Sequence, residues 1–262
     1  MLVVIAIIGL MASMALPHLG GFTKSNTVAA ATQQLLDDVN LARQRAMATR
    51  STVYMVFIPT NFWGSILAND NYNLKNNAVV SNLVTHQAAS YAIISLRSVG
   101  DQPGRSYPRY LSDWKSLPAG AFIAPYKFYT NAPTNAIVYT TNTLTPPPLN
   151  YTVNTNYPFA QIAVPFPSVT VTGGANNVVL PAIGFTANGG LVTYGAIKND
   201  EYIPIDLGTI IYTTAPSGGA APITQQQTPT IVETPPNNWI NNPNLIHISW
   251  LTGRAKVERN QF

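Results

Sequence analysis

Two hydrophobic rhythms divide the chain. From Met1 to Leu16 there is no charged residue: LVVIAIIGLMASMAL follows Met1. Pro17, His18 and the Gly20-Gly21 pair interrupt the run. After them Val28, Ala31, Leu35, Val39, Ala42 and Ala46 recur at three- and four-residue steps. That spacing lays one apolar stripe along an α-helix. Ser25 and Thr27 are placed to cap it if the helix restarts after the glycines. Asp37 and Asp38 precede Arg43, Arg45 and Arg50, the order that suits a helix dipole. The pattern predicts a helix continuing from the opening run, bent at Pro17, to about residue 52.

Beyond Arg50 the helical period disappears. Short apolar runs alternate with turn-forming clusters. Candidate strands are 53–58, 91–98, 121–129, 136–141, 161–164, 178–185, 191–196, 202–212, 245–251 and 255–258. Asn188-Gly189-Gly190 reads as a hairpin turn, because Asn and Gly accept positive φ at little cost. No strand–helix–strand alternation is visible, which argues against a doubly wound parallel sheet. Residues 143–159 and 214–239 are rich in Pro, Asn, Thr, Gly and Gln and read as long loops or linkers. The expected fold class is α+β: a long N-terminal helix packed on an antiparallel β-sheet head. The expected segments are 1–22 (apolar helix), 23–52 (amphipathic helix) and 53–262 (β-rich head, with an insertion at about 60–180).

Composition narrows the classes of function. Only 9% of the 262 residues are charged, against about 25% in typical domains. Polarity comes instead from Asn, Thr, Ser, Gln and Tyr, in the style of a secreted or periplasmic surface. The chain has no cysteine, which excludes a disulfide framework, a thiolate zinc site and a thiol nucleophile. The net charge is +4, with basic groups gathered at Arg43, Arg45 and Arg50 and again at Arg254, Lys256 and Arg259. The opening run, as a helix from Leu2 to Leu16, spans roughly 23 Å, short of a hydrocarbon core of about 30 Å. It has the apolar stretch and small residues of a signal peptide but no basic n-region.

The stretch LVVIAIIGLMASMALP, followed by LLDDVNLARQRAMATRSTVYMVF, resembles the N-terminal half of type IV pilin-like proteins. More narrowly it resembles the GspH/FimT family of minor pseudopilins and their type IV pilus relatives. IGFTANGGLVTYG (183–195) is similar to that family's strand–turn–strand segment, and IHISWLTGRAKVE (246–258) to its C-terminal strand and Gly-Arg turn. The three stretches occur in the family's order and cover about a third of the chain. The middle, about 60–180, resembles nothing identifiable. Family members carry a basic leader and Gly-Phe-Thr-Leu-Ile-Glu before Leu-Val-Val-Ile; this sequence begins after that point, so a truncated or misassigned start is the expectation. About six more residues would add roughly 9 Å of helix and bring the span to membrane thickness.

The resemblance implies a structural subunit of a type II secretion pseudopilus or type IV pilus-like filament. It implies a single-pass inner-membrane anchor with a periplasmic head. Leu2, Val3, Val4, Ile5, Ile7, Ile8, Leu10 and Pro17 would form the membrane and filament-core helix, with His18 at the membrane interface. Val28, Leu35, Val39, Ala42 and Ala46 would dock the helix on the head. Partners would be other pilin or pseudopilin subunits, the inner membrane, and an assembly machinery with a separate ATPase. The family also contains DNA-binding members with a Gly-Arg-x-Arg tail. Here Lys256 stands in the last position, so Arg254, Lys256 and Arg259 are the candidate DNA contacts of an alternative reading. Lys keeps the charge but loses the bidentate fork, and two or three phosphate contacts bind weakly and with strong salt dependence.

No catalytic constellation is apparent. The histidines His18, His86 and His247 show no metal-ligand spacing. There is no G-x-S-x-G elbow and no P-loop, so no enzyme activity and no cofactor are expected. Gly173-Gly174 and Gly218-Gly219 read as ordinary loop pairs. Asp200-Glu201 with Asp206 is the one acidic grouping after the helix, readable as a calcium site or, more plainly, as a solvated loop. His247 alternates with Ile246 and Ile248, so it reads as a surface histidine on the opposite strand face.

Overall fold

The computed structural model describes residues 2–62, 77–97, 107–128, 139–140, 152–153, 158–169, 177–193, 198–212, 228–236, 238 and 244–258. Side chains are described from Asn26 onward, apart from 139–140 and 152–153. The elements in chain order are α1 (Leu2–Thr49), β1 (Val53–Phe57), α2 (Ala78–Val84), β2 (Ser90–Ser95), β3 (Arg109–Tyr110), β4 (Lys115–Ser116), β5 (Ala121–Ile123) and a 3-10 turn (Pro125–Phe128). There follow β6 (Tyr139–Thr140), β7 (Thr152–Val153), β8 (Ala160–Pro165), β9 (Asn177–Phe185), β10 (Glu201–Ile211), β11 (Thr230–Glu233), β12 (Asn244–Ile248) and β13 (Ala255–Glu258).

The strands form two main antiparallel sheets. Sheet I has the order β3-β2-β1-β9-β8, with β4 also on β2; sheet II has the order β11-β10-β12-β13, with β5 also on β10. β6 and β7 make a separate two-stranded ribbon. β1 lies at the centre of sheet I: Val53 is opposite Ser95 on one side and Phe185 on the other.

The central strands of sheet I, β1 and β2, are buried on both faces, and their sequences show it. In β1, Val53, Met55 and Phe57 enter one core while Val56 enters another. In β2, Tyr91 and Ile93 face the first core, Ala92 and Ile94 the second. A strand covered on both sides is apolar at consecutive positions rather than at every second one. The first core lies among α1, sheet I and sheet II, where Phe122, Ile203, Ile205, Ile246 and Ile248 join it. The second lies under α2, where Val80, Leu83 and Val84 meet Ile162, Val164, Phe166 and Leu180.

Val28, Ala31, Leu35, Val39, Ala42 and Ala46 of α1 are all buried in the first core. Polar groups pin the same face. The Tyr91 hydroxyl donates to Asp38 Oδ2 at 2.7 Å, and Lys115 Nζ meets Asp38 Oδ1 at 2.7 Å. Gln34 Nε2 donates to the Tyr91 hydroxyl at 2.9 Å. At the helix end Ser51 N donates to Ala46 O and Arg50 N to Met47 O, with Arg50 at φ 48°. That pair of bonds closes a Schellman-type cap, with arginine in the left-handed position that glycine usually takes.

Several expectations are corrected here. The α+β description, a long helix packed on an antiparallel β-sheet head, does not fit: the described chain is mostly antiparallel β, in two main sheets around two cores. The reason is that 60–180 is not an appendix to the head. It supplies β2, β3, β4 and β8 to sheet I and β5 to sheet II. No restart of the helix occurs at Ser25 or Thr27, because α1 is continuous through Pro17 and Gly20-Gly21. The expected loop 214–239 contains β11. The expected strand 191–196 reduces to a single bridge, Phe185 to Leu191, among the described residues.

The single-pass membrane assignment, and with it the inner-membrane location, is also overturned: among the described residues no helix is long and apolar enough to cross a membrane. The described part of α1 carries Asp37, Asp38, Arg43 and Arg45 along its length. The side chains of Leu2, Val3, Val4, Ile5, Ile7, Ile8, Leu10, Pro17 and His18 lie outside the described residues, as do Gly173-Gly174, Gly218-Gly219 and most of 143–159.

The buried tyrosines make an alkaline limit. Burial raises the phenols of Tyr91 and Tyr110 well above the usual 10, and Asp38 adds to the effect at Tyr91. Burial likewise pushes Tyr212 up to about 12. Unfolding exposes phenols that ionise near 10, so the unfolded state sheds protons that the folded state keeps. This stability is fully present below pH 10 and is lost as pH rises toward the folded-state values. The urea midpoint is expected to fall as pH rises above about 10, with part of the tyrosinate absorbance appearing only together with unfolding. Full tyrosinate absorbance, from every tyrosine, in a still-folded chain would contradict the assignment.

Candidate functional site: the junction of α1 with two C-terminal turns

One face of α1 ends on a junction built from backbone. Arg43 Nε donates to Thr252 O at 2.7 Å and to Gly189 O at 3.2 Å. One guanidinium thereby ties the helix to two turns far apart in sequence. The first is Asn188-Gly189-Gly190, closed by Gly189 N to Thr186 O and Thr186 N to Gly190 O, each 2.8 Å. The second runs from Ser249 to Arg254, closed by Gly253 N to Ser249 O at 2.7 Å and Ser249 N to Arg254 O at 3.1 Å. Leu191 N donates to Trp250 O at 2.9 Å and joins the two turns directly.

Close approach makes glycine necessary here. Gly253 has φ +61°, and a Cβ on it would overlap the Gly189 carbonyl. Gly189 has φ +83°, and a Cβ there would press on Met47 and Arg43 of α1. The two glycines therefore let the turns nest against each other and against the helix.

A polar cluster adjoins the second turn. His247 stands between two carboxylates: Nε2 lies 2.7 Å from Asp200 Oδ2 and Nδ1 lies 2.9 Å from Glu258 Oε1. Its ring stacks on Tyr202, with centroids 4.6 Å apart and planes 7° from parallel. Asp200 Oδ1 accepts the Trp250 N–H at 2.8 Å, and Lys198 Nζ lies 5.3 Å from the Trp250 ring centroid. Lys256 Nζ pairs with Glu258 at 2.8 Å. The cluster links β10, β12, β13 and the turn through mixed charge.

The expected site residues separate accordingly. Val28, Leu35, Val39, Ala42 and Ala46 form the buried stripe beneath the junction. Arg254 is exposed just before β13; Lys256 is exposed within it. Arg259 lies outside the described residues. His247 is half-buried and held by carboxylates, not a bare surface histidine. Alternation placed it correctly opposite Ile246 and Ile248, but its partners come from elsewhere in the chain. The acidic grouping is dispersed: Asp200 holds His247, Glu201 pairs with the buried Lys127 at 2.5 Å, and Asp206 is buried beside Asn238. Among the described residues no group of three His, Asp or Glu is arranged to hold a metal. Arg43 is the residue that sequence reasoning missed, having been grouped with a basic surface cluster.

Gly253→Ala should destabilise the chain by about 2 kcal/mol or more, through the left-handed φ and the overlap with Gly189. Arg43→Ala should cost about 0.5–1.5 kcal/mol by removing the donor shared by two carbonyls. Urea titration of both variants checks this; wild-type midpoints in both would show that the junction does not hold the turns.

No family model, curated protein or solved structure matches this chain.

Proposed function

We propose that the chain is a structural, non-catalytic subunit of a type II secretion pseudopilus or a related type IV pilus-like filament, acting in filament assembly and protein export. One observation carries the reading. The three stretches that bear the family resemblance meet at a single place, where Arg43 of α1 bonds carbonyls from both the 186–190 and the 249–254 turns. Two turns, each more than a hundred residues from Arg43 in sequence, serve one purpose there, which is to fix the orientation of α1 on the strands. A subunit of this kind works through surfaces. Its partners are other pilin or pseudopilin subunits and an assembly machinery driven by a separate ATPase.

The DNA-receptor alternative draws less support. Lys256 is engaged by Glu258, and Asp200 and Glu258 put negative charge beside the tail. A phosphate backbone approaching Arg254 would meet those carboxylates as well.

The absence of cysteine in the chain permits a direct test. Ala30, exposed on α1, is replaced by Cys, labelled with a benzophenone maleimide, and photo-cross-linked in cells of the native host. The reading expects covalent adducts with another pilin-like subunit, identified by mass spectrometry, and fewer of them when Arg43→Ala is added. Adducts with none, or with unrelated proteins alone, would contradict it.

A further inference from the structure

A groove lies on the side of sheet I that carries α2, separate from the Arg43 junction. Its walls are α2, the β3–β4 segment and residues 167–169 after β8, and it encloses about 990 Å³. That volume is within the range of small-ligand sites. Exposed apolar side chains gather on it: Val79, Tyr107 and Val169 are 45%, 52% and 41% exposed. Tyr110 and Trp114 line it as a tilted pair, centroids 5.9 Å apart, with Trp114 held edge-on to Phe166 at 5.6 Å.

The polar ends of these rings are already used. Trp114 Nε1 donates to Pro167 O at 3.0 Å and the Tyr110 hydroxyl to Pro165 O at 2.7 Å. The rings are thus fixed in position, and what they offer a ligand is aromatic surface. A proline-rich peptide is a poor fit, since recognition of that kind docks the peptide on an aromatic groove whose ring donors would here be unavailable to its carbonyls. Around the rings stand Asn82, Ser112, Ser168 and two exposed charges of opposite sign, Arg109 and Asp113. Opposite charges give no net field to select an anion or a cation. A wholly apolar ligand would strip water from them without replacing its hydrogen bonds.

The ligand that matches is neutral, has an apolar face, and carries both donors and acceptors around its edge. A pyranose ring has that form: axial C–H groups on one face, hydroxyls at the rim. We propose that this groove is a binding site for a neutral oligosaccharide, stacked on Tyr107 and Trp114 and hydrogen-bonded by Arg109, Asp113 and Asn82. The assignment does not rest on the filament reading.

The full chain is titrated with maltotriose, cellotriose, chitotriose and mannotriose, followed by saturation-transfer NMR and tryptophan fluorescence. At least one should bind saturably with Kd of order 1 mM or tighter, with transfer strongest at C–H protons of one ring face. Tyr107→Ala and Asp113→Asn, both at exposed positions, should each weaken that binding roughly three- to tenfold, Asp113→Asn with the melting temperature unchanged. Failure of all four sugars to bind, or binding that neither substitution alters, overturns the proposal. So does displacement of the sugar by a Pro-Pro-Pro-Leu peptide that binds more tightly, which would reassign the groove to proline-rich chains.

Discussion

Two-sided burial of the central strands of sheet I is the constraint on which the rest of this structure depends. A sheet with Val53, Met55 and Phe57 on one face and Val56, Ala92 and Ile94 on the other cannot leave either face in water. Burial of apolar area at about 25 cal/mol per Å² is the dominant favourable term available to a chain without disulfides. One face is therefore closed by α1 together with sheet II, the other by α2. The helix stripe and the sheet II residues Ile203, Ile205, Ile246 and Ile248 share that first core, so the C-terminal strands are positioned by the same contact that positions the helix.

Hydrophobic contact is non-directional and would permit α1 to slide or rotate over the sheets. Directional bonds remove that freedom. Asp38 bonds Tyr91 and Lys115 near the middle of the packed stripe, and Arg43 bonds Thr252 and Gly189 about one turn farther along. Such bonds are directional and specify geometry, and the buried Asp38 would cost stability without its partners. The nested glycines complete the arrangement, because no residue with a Cβ fits where the two turns touch. The defined orientation of α1 on the two sheets is thus the product of one core and two sets of hydrogen bonds.

The helical stripe was legible because every one of its residues obeys a period of 3.6 on a single buried face. The 188–190 turn was legible because Asn-Gly-Gly is local chemistry. The partition into two sheets was not, since strands buried on both faces lose the alternation that would mark inside from outside; β1 reads VYMVF with no polar punctuation. β11 was missed for the opposite reason: TIVE is short, half-exposed and set among Pro, Gln and Thr, and it is a strand because β10 offers it an edge. His247 and Arg43 were misjudged because their partners, Asp200, Glu258, Gly189 and Thr252, are distant in sequence. Composition showed a basic residue in each case, and only the fold shows a carboxylate pair around one and two carbonyls in front of the other.

If α1 is a wall of the first core, its packed part must open only when the sheets open. Hydrogen exchange on the intact chain, resolved by mass spectrometry, measures this most directly. Amides of residues 31–46 are expected to exchange with the same opening free energy as those of β1 and β9, the global value. Exchange of 31–46 that is orders of magnitude faster, with the sheets still protected, would make α1 a detachable appendage and would contradict the account.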